Sequence, residues 1–346
     1  MTRSWHLLLS AALSAALCVA LPTPSAAQSP GTPDALVWPR PPATAAVGYV
    51  RGVEVPADWG IKTSFLGRII DAIAGKPEER FVRPTGVAER EGVLYVADPG
   101  APALWILDAP ANRSLKVQRA GDLALASPVA VALGADGSVF VADSVLKKVF
   151  AFDRNGGLLG VAAADLERPA ALAYDLARGE LYVADTVGHF VGVFGTKGER
   201  LRTIGSRGTG DGQLNGPAYL ALDRDGHLLV TDAYNFRIVS FDHDGRFRWK
   251  MGRAGDGSGD FASPKGVAVD SRGQLYVVDA LFDVVQVFGA PGPLLFTFGA
   301  RGAGAGQFSL PGGIYIGGDT IYVADAYNHR VQVFRRLPGS VQGAAQ

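Results

Sequence analysis

Sulfur is nearly missing from this 346-residue chain, which holds one cysteine and two methionines. The single thiol, Cys18, lies inside the apolar run from Leu7 to Leu21, behind Arg3 and ahead of the small residues Ser25 and Ala27. That order is the pattern of a cleavable secretory signal over residues 1–27, cut before Gln28. Leu17 stands where a bacterial lipoprotein signal wants Gly or Ala, so a lipid anchor is not expected. A mature chain without thiols excludes disulfides, cysteine metal sites and a cysteine nucleophile. An excess of charge is missing too: 33 basic and 33 acidic residues cancel. A neutral chain argues against nucleic acid, whose phosphates call for a basic surface. Long hydrophobic runs are missing after Leu21, and the run that ends there is short for a membrane span, so no stable insertion is expected once the signal is removed. Together these features predict a periplasmic or extracellular protein.

Glycine and proline are abundant, at 45 and 21 residues. Residues 28–45 read as an extended Pro-rich linker, and 338–346 as a flexible tail. Between them the chain repeats itself. "LYVADPG", "VFVADSV", "LYVADTV", "LLVTDAY", "LYVVDAL" and "IYVADAY" place Asp98, Asp143, Asp185, Asp232, Asp279 and Asp325 at steps of 42 to 47 residues. A second ruler, Pro84, Pro128, Pro169, Pro217, Pro264 and Pro311, keeps similar steps. Each unit reads strand, turn, strand, turn, strand, turn, strand, as in "GVAVD", "QLYVVD", "VVQVFG" and "PLLFTFG". The first two strands are apolar on both faces, which requires a neighbour on each side. Helical periodicity is absent. The pattern therefore predicts an all-β, six-bladed β-propeller of four-stranded antiparallel blades over residues 46–337. The sixth unit lacks its outer strand, and "AVGYVRGVEV" (46–55) is spare. Placed there, it closes the ring and removes an unpaired edge. The spacing resembles the NHL-repeat family, with P-x-G-V-A-V-D followed by Y-V-A-D-x-x-N-x-R-V-x-V-F and a Gly-rich loop. Exported bacterial relatives of that kind imply a propeller but no particular activity.

Candidate site residues fall on the face shared by the second turns and the inter-blade loops, here called the top. His189, Tyr234, Asn235, Arg237, Tyr327, Asn328, His329 and Arg330 lie in those turns, and Tyr219 and Tyr315 replace small residues in innermost strands. The six repeated aspartates are expected to bind backbone N–H groups, with Arg237 and Arg330 pairing to two of them. His189 and His329 sit on opposite blades, too far apart to share a zinc of the kind that amidating lyases of this fold hold. His227 and His243 belong to bottom turns. The Gly-rich loops lack the following helix that a phosphate site requires. Asp256, Ser258 and Asp260 alternate oxygen side chains and form a candidate site for a structural calcium ion. "RFRWKMGR" (246–253) is expected to be a half-exposed outer strand with its basic residues on one side. The connection over 56–83 is expected to carry a helix capped by Ser64, with Phe65, Leu66, Ile69, Ile70 and Ile73 on one side. Trp105, in a third strand, is a candidate for shaping the channel mouth. The function this predicts is non-enzymatic recognition of a protein, peptide or glycan on the top face, without cofactor. The alternative is a metal-dependent lyase or hydrolase on that face.

Overall fold

A computed structural model describes residues 36–62 and 79–338, which belong to one compact unit beginning at Leu36. The predicted signal, the Ser64-capped helix and nearly all of the tail lie outside the described residues. Five four-stranded antiparallel sheets run in sequence order from their innermost strands, which begin at Gly86, Pro128, Pro169, Pro217 and Pro264. These are blades one to five. Four of the five open on the proline of the second ruler, at the one strand position where a missing N–H breaks no ladder bond.

Blade six closes the ring as expected. Its innermost strands, Ile314–Gly317, Thr320–Asp325 and Arg330–Arg336, are completed by Val47–Val53 from the other end of the chain. One feature of this closure departs from the sequence reading. Val37–Trp38, within the predicted linker, adds a fifth strand by pairing with Gly48 and Val47. Burial accounts for it: the Trp38 indole packs on Phe298 and edge-on to Phe334, at ring distances of 6.3 and 5.9 Å.

Neighbouring blades are stitched at the top of their inner strands. Gly313 N–H donates to Thr85 O at 2.9 Å, and Gly266 N–H to Gly312 O at 3.1 Å. The hydroxyls of Thr85, Thr186 and Thr231 donate to carbonyls of the next blade. At Gly266 this approach leaves no room for a side chain, since a Cβ would stand 2.7 Å from Gly312 O. Apolar clusters fill the space between blades. Trp105 belongs to one of them rather than to the channel mouth: it is fully buried, edge-on to Phe81.

The connection into blade one is unlike the others where it is described. It opens with a single 3₁₀ turn, Pro56–Trp59, whose Asp58 carboxylate accepts the N–H groups of Glu54 and Val55. Trp59 is buried against Tyr322 and donates its indole N–H to Gly92 O. The connection from blade one to blade two is a small hairpin, Arg119–Ala120 with Leu123–Ala124.

Candidate functional site

The six repeated aspartates end the second strands, and all six are wholly buried. Each carboxylate ties the incoming connection to the blade it enters. Asp98 accepts N–H bonds from Val82 and Arg83 on that connection and from Gly100 and Ala101 in its own turn. Asp143 repeats this with Ala126, Ser127, Val145 and Leu146. Asp185 and Asp279 do the same. A carboxylate that already accepts three or four bonds has little left for a ligand. The ring of acids is scaffold.

Blades four and six extend the device. Asp325 accepts Ser309 N–H, Asn328 Nδ2, Arg330 Nε and Gln332 Nε2, each at 2.8–2.9 Å. Asp232 takes Asn215 N–H, Asn235 Nδ2 and Arg237 Nε. The remaining donors of Arg237 go to Thr209, Gly210 and Gln213 carbonyls, and those of Arg330 to Gly304 and Gln307. Asn235 and Asn328 hold Gly208 O and Gly302 O. Four of the candidate ligand residues are thus occupied in clamping the Gly-rich loops. In the loop between blades four and five, Asp260 is ion-paired to Arg253 at 2.7 Å, while Asp256 and Ser258 are exposed.

The histidines share a register for a backbone reason. Four residues after the aspartate, Lys147, His189, Phe236, Asp283 and His329 all have φ between 52° and 58°. This left-handed conformation ends the turn, and short polar side chains tolerate it better than most. His189 Nδ1 accepts Gly216 N–H at 3.1 Å, and His329 Nδ1 contacts Val82 O. Both are turn residues.

Among what the top face leaves exposed is a recurrent apolar series, interleaved with charged residues such as Arg83, Lys147, Arg168 and Arg301. Two residues after the aspartate stand Val145, Val187, Tyr234, Leu281 and Tyr327, at 63, 48, 64, 52 and 57% exposure. Val82 and Leu310, on incoming connections, are also exposed. The sequence reading selected the two tyrosines and missed the aliphatic members. The signal was present as one apolar position recurring two after Asp, but the residue type changes from blade to blade.

The channel offers little chemistry. Its cavity, about 260 Å³, is lined by all six innermost strands, mostly through Val, Ala, Leu and Ile. Arg90 is the one charged residue in that lining, and its guanidinium donates to Gly134 O and Leu133 O. Tyr315 lines this cavity instead of the top face. Tyr219 reaches over the backbone at Gly312, its hydroxyl 3.2 Å from where a Cβ would be, and burial pushes that phenol up to about 12. It stays neutral at physiological pH and fills space. Among the described residues, one group of three side chains has metal-ligand spacing: Asp223, Asp225 and His227 in a bottom turn. There Asp223 already accepts two turn N–H groups, and its second oxygen lies 2.9 Å from His227 Nδ1.

A family model for the NHL repeat matches residues 308–334, and a model described as a 6-bladed beta-propeller matches 216–292. No curated protein matches the sequence. Similar solved structures include a structural genomics protein of unknown function from Bacteroides thetaiotaomicron, at 19% identity and TM-score 0.58, covering 74% of this chain and 70% of that one. Virginiamycin B lyase from Staphylococcus aureus is similar at 14% identity and TM-score 0.57, covering 74% and 96%. A chain of the nidogen/laminin complex follows at 21% and 0.50, covering 63% and 82%. At such identities the likeness is one of fold. The chain is a six-bladed β-propeller that carries an NHL repeat in its last blade.

Proposed function

We propose that this propeller is an exported recognition module that binds a protein partner on its top face. The observation that carries this reading is the apolar ring of Val145, Val187, Tyr234, Leu281 and Tyr327, repeated at one register in five blades and about half exposed or more. Scattered apolar residues need no explanation, but a recurrent set on one face marks an interaction surface. Aromatic side chains such as Tyr234 and Tyr327 are favoured anchors in such surfaces. The rigid turns beneath them reduce the ordering cost of binding. The nidogen/laminin complex offers a precedent for a propeller in a protein assembly. The N-terminal signal pattern supports a periplasmic or extracellular setting.

A metal-dependent lyase or hydrolase would need convergent ligands on this face or at the axis. The repeated aspartates, both asparagines and both arginines of the top turns are instead engaged with backbone and one another. That favours recognition. The test is site-specific photo-crosslinking in the source cell, with the photoreactive residue at Tyr234 or Tyr327 and, as control, at Leu201 on an outer strand. One discrete protein adduct from both top positions and none from the control is expected. No adduct at either top position, or the same adducts at all three, would contradict the proposal.

A further inference from the structure

A cleft outside the apolar ring opens at the outer edge of blade six, where the closing strand hands over to the connection into blade one. Its volume is about 460 Å³, within the range of small-ligand sites. The buried Arg330 and the half-buried Tyr49 and Gly52 form its floor, and Glu54, Asp58 and Arg80 its more exposed rim. Val55 is the one aliphatic side chain in the lining.

The floor holds two donors that the scaffold leaves unused. Two copies of one clamp differ here. Arg237 of blade four engages all three guanidinium nitrogens: Nε on Asp232, Nη1 on Thr209 O, and Nη2 on Gly210 O and Gln213 O. Arg330, only 7% exposed, places Nε on Asp325 and Nη2 on Gly304 O and Gln307 O. Its Nη1 has no acceptor among the described residues, although donors at that depth nearly always find one. The Tyr49 hydroxyl is likewise without a hydrogen bond among the described residues. A Cβ at Gly52 would touch both Arg330 Cδ and Tyr49 Oη, at 3.6 Å each, so the glycine keeps the floor open.

The rim supplies acceptors. Asp58 spends Oδ2 on the N–H groups of Glu54 and Val55 and keeps Oδ1. Glu54 meets Arg80 through Oε2 at 2.6 Å and keeps Oε1. No surplus charge selects a simple anion or cation, because Arg330 is paired with Asp325 and Arg80 with Glu54. What remains are charge-assisted donors on the floor and carboxylate oxygens on the rim. A bare aromatic face for stacking a sugar is missing from this cleft: the Tyr49 ring packs edge-on to Phe334, and the nearby Trp59 is covered by the Arg51 guanidinium at 4.6 Å.

We infer that this cleft binds a free α-amino acid with a small polar side chain, its carboxylate on Arg330 Nη1 and Tyr49 Oη and its ammonium on Glu54 and Asp58. A guanidinium beside a phenol suits a carboxylate, and an ammonium offers three donors to the rim oxygens. The near absence of aliphatic lining disfavours a large apolar side chain. The assignment does not rest on the top-face partner.

Titration calorimetry of the whole protein with L-serine tests it, beside N-acetyl-L-serine, which lacks the ammonium, and L-serinamide, which lacks the carboxylate. Saturable binding of L-serine is expected, with both blocked forms at least tenfold weaker. Tyr49→Phe keeps the ring on Phe334 and removes only the hydroxyl, so it should weaken binding at least fivefold at an unchanged melting temperature. Glu54→Gln should weaken it at least as much, while Arg248→Gln, on the outer strand of blade four, should leave it intact. No saturable binding of L-serine, equal binding of either blocked form, or indifference to Tyr49→Phe or to Glu54→Gln would each overturn the assignment.

Discussion

Asp325→Ala is expected to destabilise the protein by about 3–5 kcal/mol, roughly a fifth or more of the stability typical of a folded domain. The carboxylate is wholly buried and gathers four donors, among them the guanidinium of Arg330, itself only 7% exposed. Removing it strands a buried cation and leaves Ser309 N–H and two side-chain amides short of an acceptor. The damage reaches beyond one turn, because Arg330 and Gln332 also hold the Gln307 carbonyl of the incoming loop. Asp325→Asn, which keeps one acceptor oxygen but not the charge, should fall between wild type and Asp325→Ala. Arg330→Met in the Asp325→Ala background should recover part of the loss, since the unpaired charge goes with it. Urea denaturation of the four proteins measures this. A loss below about 1 kcal/mol in Asp325→Ala would mean that the carboxylate is not the clamp described here.

Removing the closing strands should have a still larger effect. A chain that begins at Pro56 lacks Val47 and Val53, both wholly buried, together with Trp38 and Tyr49, which pack on Phe334. At roughly 1.5–3 kcal/mol for each fully buried large side chain, and less for the half-buried pair, the loss is about 5 kcal/mol or more before the ladder is counted. It also bares Arg330–Arg336 as an open edge after ladder pairing from Val47↔Arg336 to Val53↔Val331 is gone. Such a chain is expected to show no cooperative thermal transition and to aggregate. A synthetic peptide spanning 36–55, supplied in trans, should restore the transition. A truncated chain that melts within a few degrees of the parent would show that the ring does not depend on this closure.

Much of this architecture was legible in the chain because propeller blades repeat their rules. The aspartate and proline spacings revealed six blades, and the missing strand of the last unit pointed to residues 46–55. The clamps of Arg237 and Arg330 were legible because an acid and a base recur five residues apart. Other features lacked a periodic signal. Val37–Trp38 is too short for alternation, sits among prolines, and becomes a strand only because Phe298 and Phe334 offer the indole a place to bury. The shared register of His189 and His329 suggested chemistry, although the turn demands a left-handed residue there whatever its side chain. The apolar ring was half visible, since tyrosines attract notice and a valine or leucine in a turn does not. The blade-six cleft was hidden more deeply. It joins the closing strand and the start of the following connection to Arg330 near the other end of the chain, and nothing local in either sequence announces the meeting.

On the top face the repeated aspartates, both asparagines and both clamp arginines are consumed by the scaffold, and a ring of apolar residues stands exposed above them for recognition. Metal analysis of the mature protein, purified without chelator or affinity tag, tests it most directly. No transition metal retained near one per chain through dialysis, and a melting temperature indifferent to chelator, is the predicted result. One tightly held transition metal per chain, released by His189→Gln or His329→Gln, would contradict the claim and return the top face to catalysis.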